Sequence, residues 1–137
     1  MMKKIINGLM LVAMFVLELL PNSLVIYFSS VDQNENIILN PTYTSYFDML
    51  PFGYADFLPL IIGILTGVCL IMLIYSFFKP NKKVEGLVCY FEIAIVIMTL
   101  VRVILGMGMT WMGYVIMALA VLSSIIYLFD EKKLINK

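Results

Sequence analysis

The chain contains no histidine. That removes the commonest metal ligand and the side chain that usually handles protons near neutral pH. Charge is scarce as well: 13% of the 137 residues are charged, against about a quarter in soluble domains. Cysteine occurs only as Cys69 and Cys89, both inside apolar runs and at different expected depths, so buried inert thiols are expected rather than a disulfide. No nucleophile–base pair, phosphate loop, zinc spacing or dinucleotide fingerprint is present, which argues against an enzyme and implies no cofactor. Lysine and arginine are absent from the whole stretch between Lys4 and Lys79.

What is present is hydrocarbon. Hydrophobic residues make up 63% of the chain, against roughly half in soluble domains. One domain fits this length, and the apolar runs divide it into four segments long enough for the ~20 residues a bilayer core requires. They cover about 5–28, 58–78, 86–105 and 110–129. The expected fold class is an all-α membrane protein, a four-transmembrane-helix bundle with a small extracytoplasmic cap. The basic start and apolar run at the N-terminus read as an uncleaved span, since the run is long, holds Glu18 and Pro21, and lacks a small-x-small cleavage site.

Residues 29–57 form the one sizeable loop. Within it 31–36 is a polar turn candidate between β-prone stretches at 25–30 and 37–39, which admits a short hairpin, and Asn40-Pro41 interrupts the pattern. The aromatic stretch 44–59 then reads as a lid on the outer end of the bundle. Its alternative reading is a ligand or partner surface, with Tyr46, Asp48, Phe52, Tyr54 and Asp56 as the candidate outer-cap residues.

Lys3, Lys4, Lys79, Lys82, Lys83, Lys132, Lys133 and Lys137 all fall on one side of a four-span arrangement, while the 29–57 loop carries four acids and no basic residue. The positive-inside rule therefore places both termini in the cytoplasm and the loop outside the plasma membrane.

Three ionisable residues fall within the spans: Glu18, Glu92 and Arg102. A charge at the bilayer centre costs ~2.5–3.5 kcal/mol on insertion scales and is normally partnered. Counting the helical rise, Glu18 stands ~20 Å and Arg102 ~24 Å above the cytoplasmic end, which suits an ion pair fixing the register of spans one and three. Arg102 could instead reach Asp48 or Asp56. Glu92 lies lower and is expected to snorkel towards Lys82 or Lys83, or to accept from Tyr75, Tyr90 or Tyr127; failing these it is a proton-site candidate. Gly63 and Gly67 form a small-xxx-small element suited to close helix packing, and Ala120 and Ser124 a weaker one. Met107, Met109, Met112 and Met117 could bind cuprous ions as thioethers, but without histidine they read as adaptable packing.

The run Tyr46-Phe47-Asp48-Met49-Leu50-Pro51-Phe52-Gly53-Tyr54-Ala55-Asp56-Phe57, continued by the second span, resembles a signature of small uncharacterised four-span membrane proteins of Gram-positive bacteria. The resemblance implies a four-span topology in a bacterial membrane and adds no site. Glu18 in span one is similar to the glutamate of small multidrug transporters, yet the long outer loop and one-sided charge depart from them. A claudin-like layout is shared only as architecture, because the loop lacks that pattern's paired cysteines and tryptophan. The resulting expectation is a non-enzymatic accessory or structural membrane component. The lipid bilayer, a membrane protein or a second copy would be its partners, and nucleic acid would not. The alternative is a small transporter or channel subunit using Glu18, Arg102 or Glu92.

Overall fold

The computed structural model describes residues 2–31, 37–48, 57–106 and 108–135, leaving aside the side chains of Lys3, Val31 and 127–135. The elements are α1 (Met2–Leu19), β1 (Leu24–Val31), β2 (Ile37–Thr44), α2 (Leu58–Phe78), α3 (Lys82–Ile104) and α4 (Trp111–Ile135). Each helix packs on its sequence neighbours and α4 returns to α1, so the four close a ring in which α1 faces α3 across the centre. Of these, α2 and α3 are long and apolar enough to cross a membrane.

The core is written in alternating steps of three and four. On α1 the buried positions are Asn7, Leu11, Met14 and Glu18; on α2 the buried seam is Ile62, Thr66, Cys69, Leu73 and Ser76, with Pro59 and Gly63 buried beside it. On α3 the seam is Val88, Glu92, Ile95, Thr99 and Arg102, with Cys89 buried beside it, and on α4 Gly113, Ile116, Ala120 and Ser123, with Ser124 buried beside it. That spacing averages 3.5 residues and keeps one narrow seam of each helix turned inward.

Helix ends depart from the apolar runs for local reasons. The first helix stops at Leu19 instead of running to Phe28. Pro21 cannot supply an N–H to continue it, and the Ser23 hydroxyl reaches the Leu17 and Leu20 carbonyls that the helix leaves open. Val25, Ile26, Tyr27 and Phe28, branched or aromatic, then pair as strand. Helix α3 begins at Lys82 rather than Gly86 because the Asn81 side chain accepts the Lys83 N–H at 3.0 Å, an N-cap that starts a helix inside a polar stretch. Helix α4 continues to Ile135, so most of the polar tail is helical. Helix α2 occupies the expected 58–78, with Pro59 in its first turn.

The hairpin is antiparallel and in register from Leu24 opposite Thr44 to Val31 opposite Ile37. The turn expected at 31–36 falls mostly on 32–36, outside the described residues. Asn40-Pro41 does not end the second strand; Pro41 sits opposite Tyr27. Each strand of a two-stranded sheet has a free edge, so a residue without a donor N–H is tolerated there. The sheet is tied to the ring by a bridge between Leu24 and Met109 and by the Thr110 hydroxyl, which donates to the Ser23 carbonyl at 2.8 Å.

Candidate functional site

Polar side chains thread the centre of the ring, each held by an inward seam position. At one end Lys4 of α1 pairs with Glu85 of α3, and the Ser76 hydroxyl of α2 donates to the same carboxylate at 3.0 Å. The start of α1, the end of α2 and the start of α3 therefore lie together. A partly exposed pair of this kind contributes little to stability; its information is positional.

One to two turns further in lies Glu92, 1% exposed. Its Oε1 accepts from Asn7 Nδ2 of α1 at 2.9 Å and from the Ser123 hydroxyl of α4 at 2.8 Å, and Ser123 Oγ also contacts Asn7 Oδ1. This replaces the expected snorkelling. Tyr75 and Tyr90 face outward and are exposed, as are Lys82 and Lys83 at the helix start, whereas Glu92 occupies the seam. The Tyr127 side chain lies outside the described residues. Glu92 Oε2 is buried and has no hydrogen-bond partner among the described residues.

Near the other end Glu18 is fully buried and its Oε1 accepts from the Thr66 hydroxyl of α2 at 2.9 Å. Among the described residues no Glu18–Arg102 ion pair forms. The height estimate carried no information about azimuth: α1 packs on α2 and α4, and Glu18 turns to the α2 seam. Arg102, 1% exposed, lines a small pocket under the hairpin with Thr44, Ser45, Tyr46, Asp48 and Pro59. Asp48 thus shares its pocket, while Asp56 lies outside the described residues. Glu18→Gln and Thr66→Val should therefore be coupled. A double-mutant cycle on unfolding free energy should give about 0.6–1.7 kcal/mol, the span of interhelical hydrogen bonds in membranes, and more than the Glu18–Arg102 cycle. Equal losses in both cycles would refute the Thr66 partnership.

The cap residues are split. Tyr46 is buried, with its N–H donating to the Glu18 carbonyl at 3.0 Å. Asp48 accepts the Ser45 N–H at 2.7 Å, which closes a local turn. Residues 44–48 thus fold onto the ring as a lid; Phe52, Tyr54 and Asp56 lie outside the described residues. Gly63 and Gly67 seat aromatic rings rather than a neighbouring helix backbone. A Cβ on Gly63 would stand 2.7 Å from the Phe47 ring and one on Gly67 3.4 Å from the Phe15 ring, and those two rings meet edge to face at 5.7 Å. Cys69 and Cys89 are buried and not joined in a disulfide.

Sequence reading missed Asn7, Thr66 and Ser123. The signal was available: Asn7 and Glu18 are eleven apart with Leu11 and Met14 between them at 3–4 spacing, which puts both on one stripe. No protein-family model matches the chain, nor does any curated protein or solved structure.

Proposed function

We propose that the chain is a non-enzymatic integral membrane protein with four spans and both termini cytoplasmic. Its hairpin and lid form an outer cap that meets a membrane partner or a second copy, as the resemblance to small four-span bacterial proteins implied. The observation that carries this reading is the inverted polarity of the ring. Asn7, Glu18, Thr66, Glu92, Thr99, Arg102 and Ser123 are each no more than 1% exposed. The outward positions are instead Leu9, Val12, Ile64, Ile71, Ile97, Leu122 and their like. Water would reward the opposite arrangement, and lipid rewards this one. Helices α2 and α3, of 21 and 23 residues, reach ~31 and ~35 Å, enough for a core of about 30 Å. Helix α1 supports a span less directly, with 18 residues that include Lys3, Lys4 and Glu18. The apolar part of α4 with described side chains is Trp111–Ile126.

In this role the buried acids act as helix locks. The transporter or channel reading draws on one observation, the unpartnered oxygens Glu18 Oε2 and Glu92 Oε2. Against it, neither carboxylate reaches water, so the accessory reading stands first. Topology reporters test it: a C-terminal fusion should be active only with a cytoplasmic reporter, and an insertion between Asp32 and Glu35 only with an exported one. An exported reporter active at the C-terminus would remove the four-span arrangement.

A further inference from the structure

The Asn7–Glu92–Ser123 triad holds fewer hydrogens than contacts. Three side chains make three contacts: Asn7 with Glu92 at 2.9 Å, Ser123 with Glu92 at 2.8 Å, and Ser123 with Asn7. Each contact between electronegative atoms needs one hydrogen. The Asn7 amide supplies one, and a serine hydroxyl carries a single hydrogen that serves one contact at a time. Reversing the amide moves the deficit without removing it. Its nitrogen then donates to Ser123, Ser123 donates to Glu92, and the Asn7 carbonyl is left against a bare carboxylate oxygen. In both orientations one pair of oxygens faces each other with nothing between.

The surroundings do not supply the missing charge. Lys4 on α1 is engaged with Glu85 and Ser76. Arg102 stands ten residues further along α3, under the hairpin. Glu18 on α1, Cys69 on α2 and Cys89 on α3 are also buried and titratable, and among the described residues the donors to Glu92 are Asn7 and Ser123. On α4 the titratable side chains are Tyr114, exposed near the start of the helix, and those from Tyr127 onward, which lie outside the described residues. A contact of 2.8 Å between oxygens has the length of a hydrogen bond.

We propose that the triad is a binding site for one proton, carried on the Glu92 carboxyl. The proton is taken from water as the helices close. Glu92 then donates to Ser123 Oγ, Ser123 donates to the Asn7 carbonyl, and the Asn7 amide donates back to Glu92, a closed cycle across three helices. The same assignment accounts for Glu92 Oε2, which becomes a neutral carbonyl oxygen; leaving that unpartnered costs less than leaving a charged one unpartnered.

Infrared spectroscopy of the detergent-purified protein at neutral pH tests it. The wild type should show the carbonyl stretch of a protonated carboxyl, and Glu92→Gln should lose one carboxyl's worth of that absorbance. Ser123→Ala should shift the same band, which keeps the test decisive if Glu92→Gln does not fold. Glu18→Gln serves as the comparison for the second buried acid and should leave the Glu92 component in place. A band unaltered in both Glu92→Gln and Ser123→Ala would overturn the proposal. So would a band that vanishes when choline is exchanged for sodium or lithium at fixed pH, since the site would then hold a metal ion.

Discussion

Replacing Asn7 with leucine should cost the fold about 2–4 kcal/mol, among the largest losses open to a single substitution in this chain. Leucine keeps the branched heavy-atom skeleton of asparagine, though its methyl groups are larger than the amide they replace, so the side-chain shape is retained and most of the loss falls on hydrogen bonding. Asn7 donates to Glu92 and receives Ser123, and none of the three is more than 1% exposed. A lost bond costs about 0.5–1.5 kcal/mol, and a buried acceptor left without its donor a further ~1–3 kcal/mol. The measurement is unfolding of the purified protein by a graded denaturing detergent, followed by loss of helix signal. Removing all three polar groups together, as Asn7→Leu with Glu92→Leu and Ser123→Ala, should cost less than the sum of the singles. Apolar replacement of a whole buried polar set is often close to neutral, whereas breaking it in half is not. Asn7→Leu within about 0.5 kcal/mol of wild type, the range of ordinary surface changes, would show that the triad does not lock the ring.

The sequence disclosed where helices lie more readily than which way they turn. Span two could be bounded to the residue because Pro59 starts it and Lys79-Pro80 ends it, both strong local signals. The hairpin was legible from branched and aromatic flanks around a polar turn, while its continuation through Pro41 was not, since tolerance of proline depends on a free edge that only the sheet reveals. The expected Glu18–Arg102 pair failed for a related reason. Rise per residue orders groups by height, but partnership depends on which helices adjoin, and Glu18 faces α2. The polar triad needed both kinds of information. Asn7 could have been flagged from its stripe, yet its meeting with Glu92 and Ser123 requires α1 and α3 to face each other across a closed ring.

Gly108→Val should free the hairpin from the helices and cost about 3 kcal/mol, the upper end of what overpacking brings. A Cβ at this position would stand 2.7 Å from the Val25 carbonyl oxygen and 2.8 Å from Val25 Cγ1. A carbonyl oxygen cannot rotate out of the way as a side chain can, so the strand itself must move. The neighbouring Leu24–Met109 bridge is the backbone link that would be pulled apart. Two other glycines separate this cause from the rest. Gly106 has φ +68° with open space around it, so Gly106→Ala carries backbone strain alone, about 1–2 kcal/mol. Gly86 lies within α3 with nothing near its missing Cβ, so Gly86→Ala should stabilise by roughly 0.5–1 kcal/mol. Amide exchange supplies the local readout. In Gly108→Val it should quicken over Leu24–Val31 and Ile37–Thr44 while α2 and α3 keep their protection, because the sheet touches the ring chiefly through 108–110 and the residues after Thr44. Uniform quickening across the helices would mean that the hairpin and the ring fold as one unit, and the view of the sheet as a separately docked cap would have to be given up.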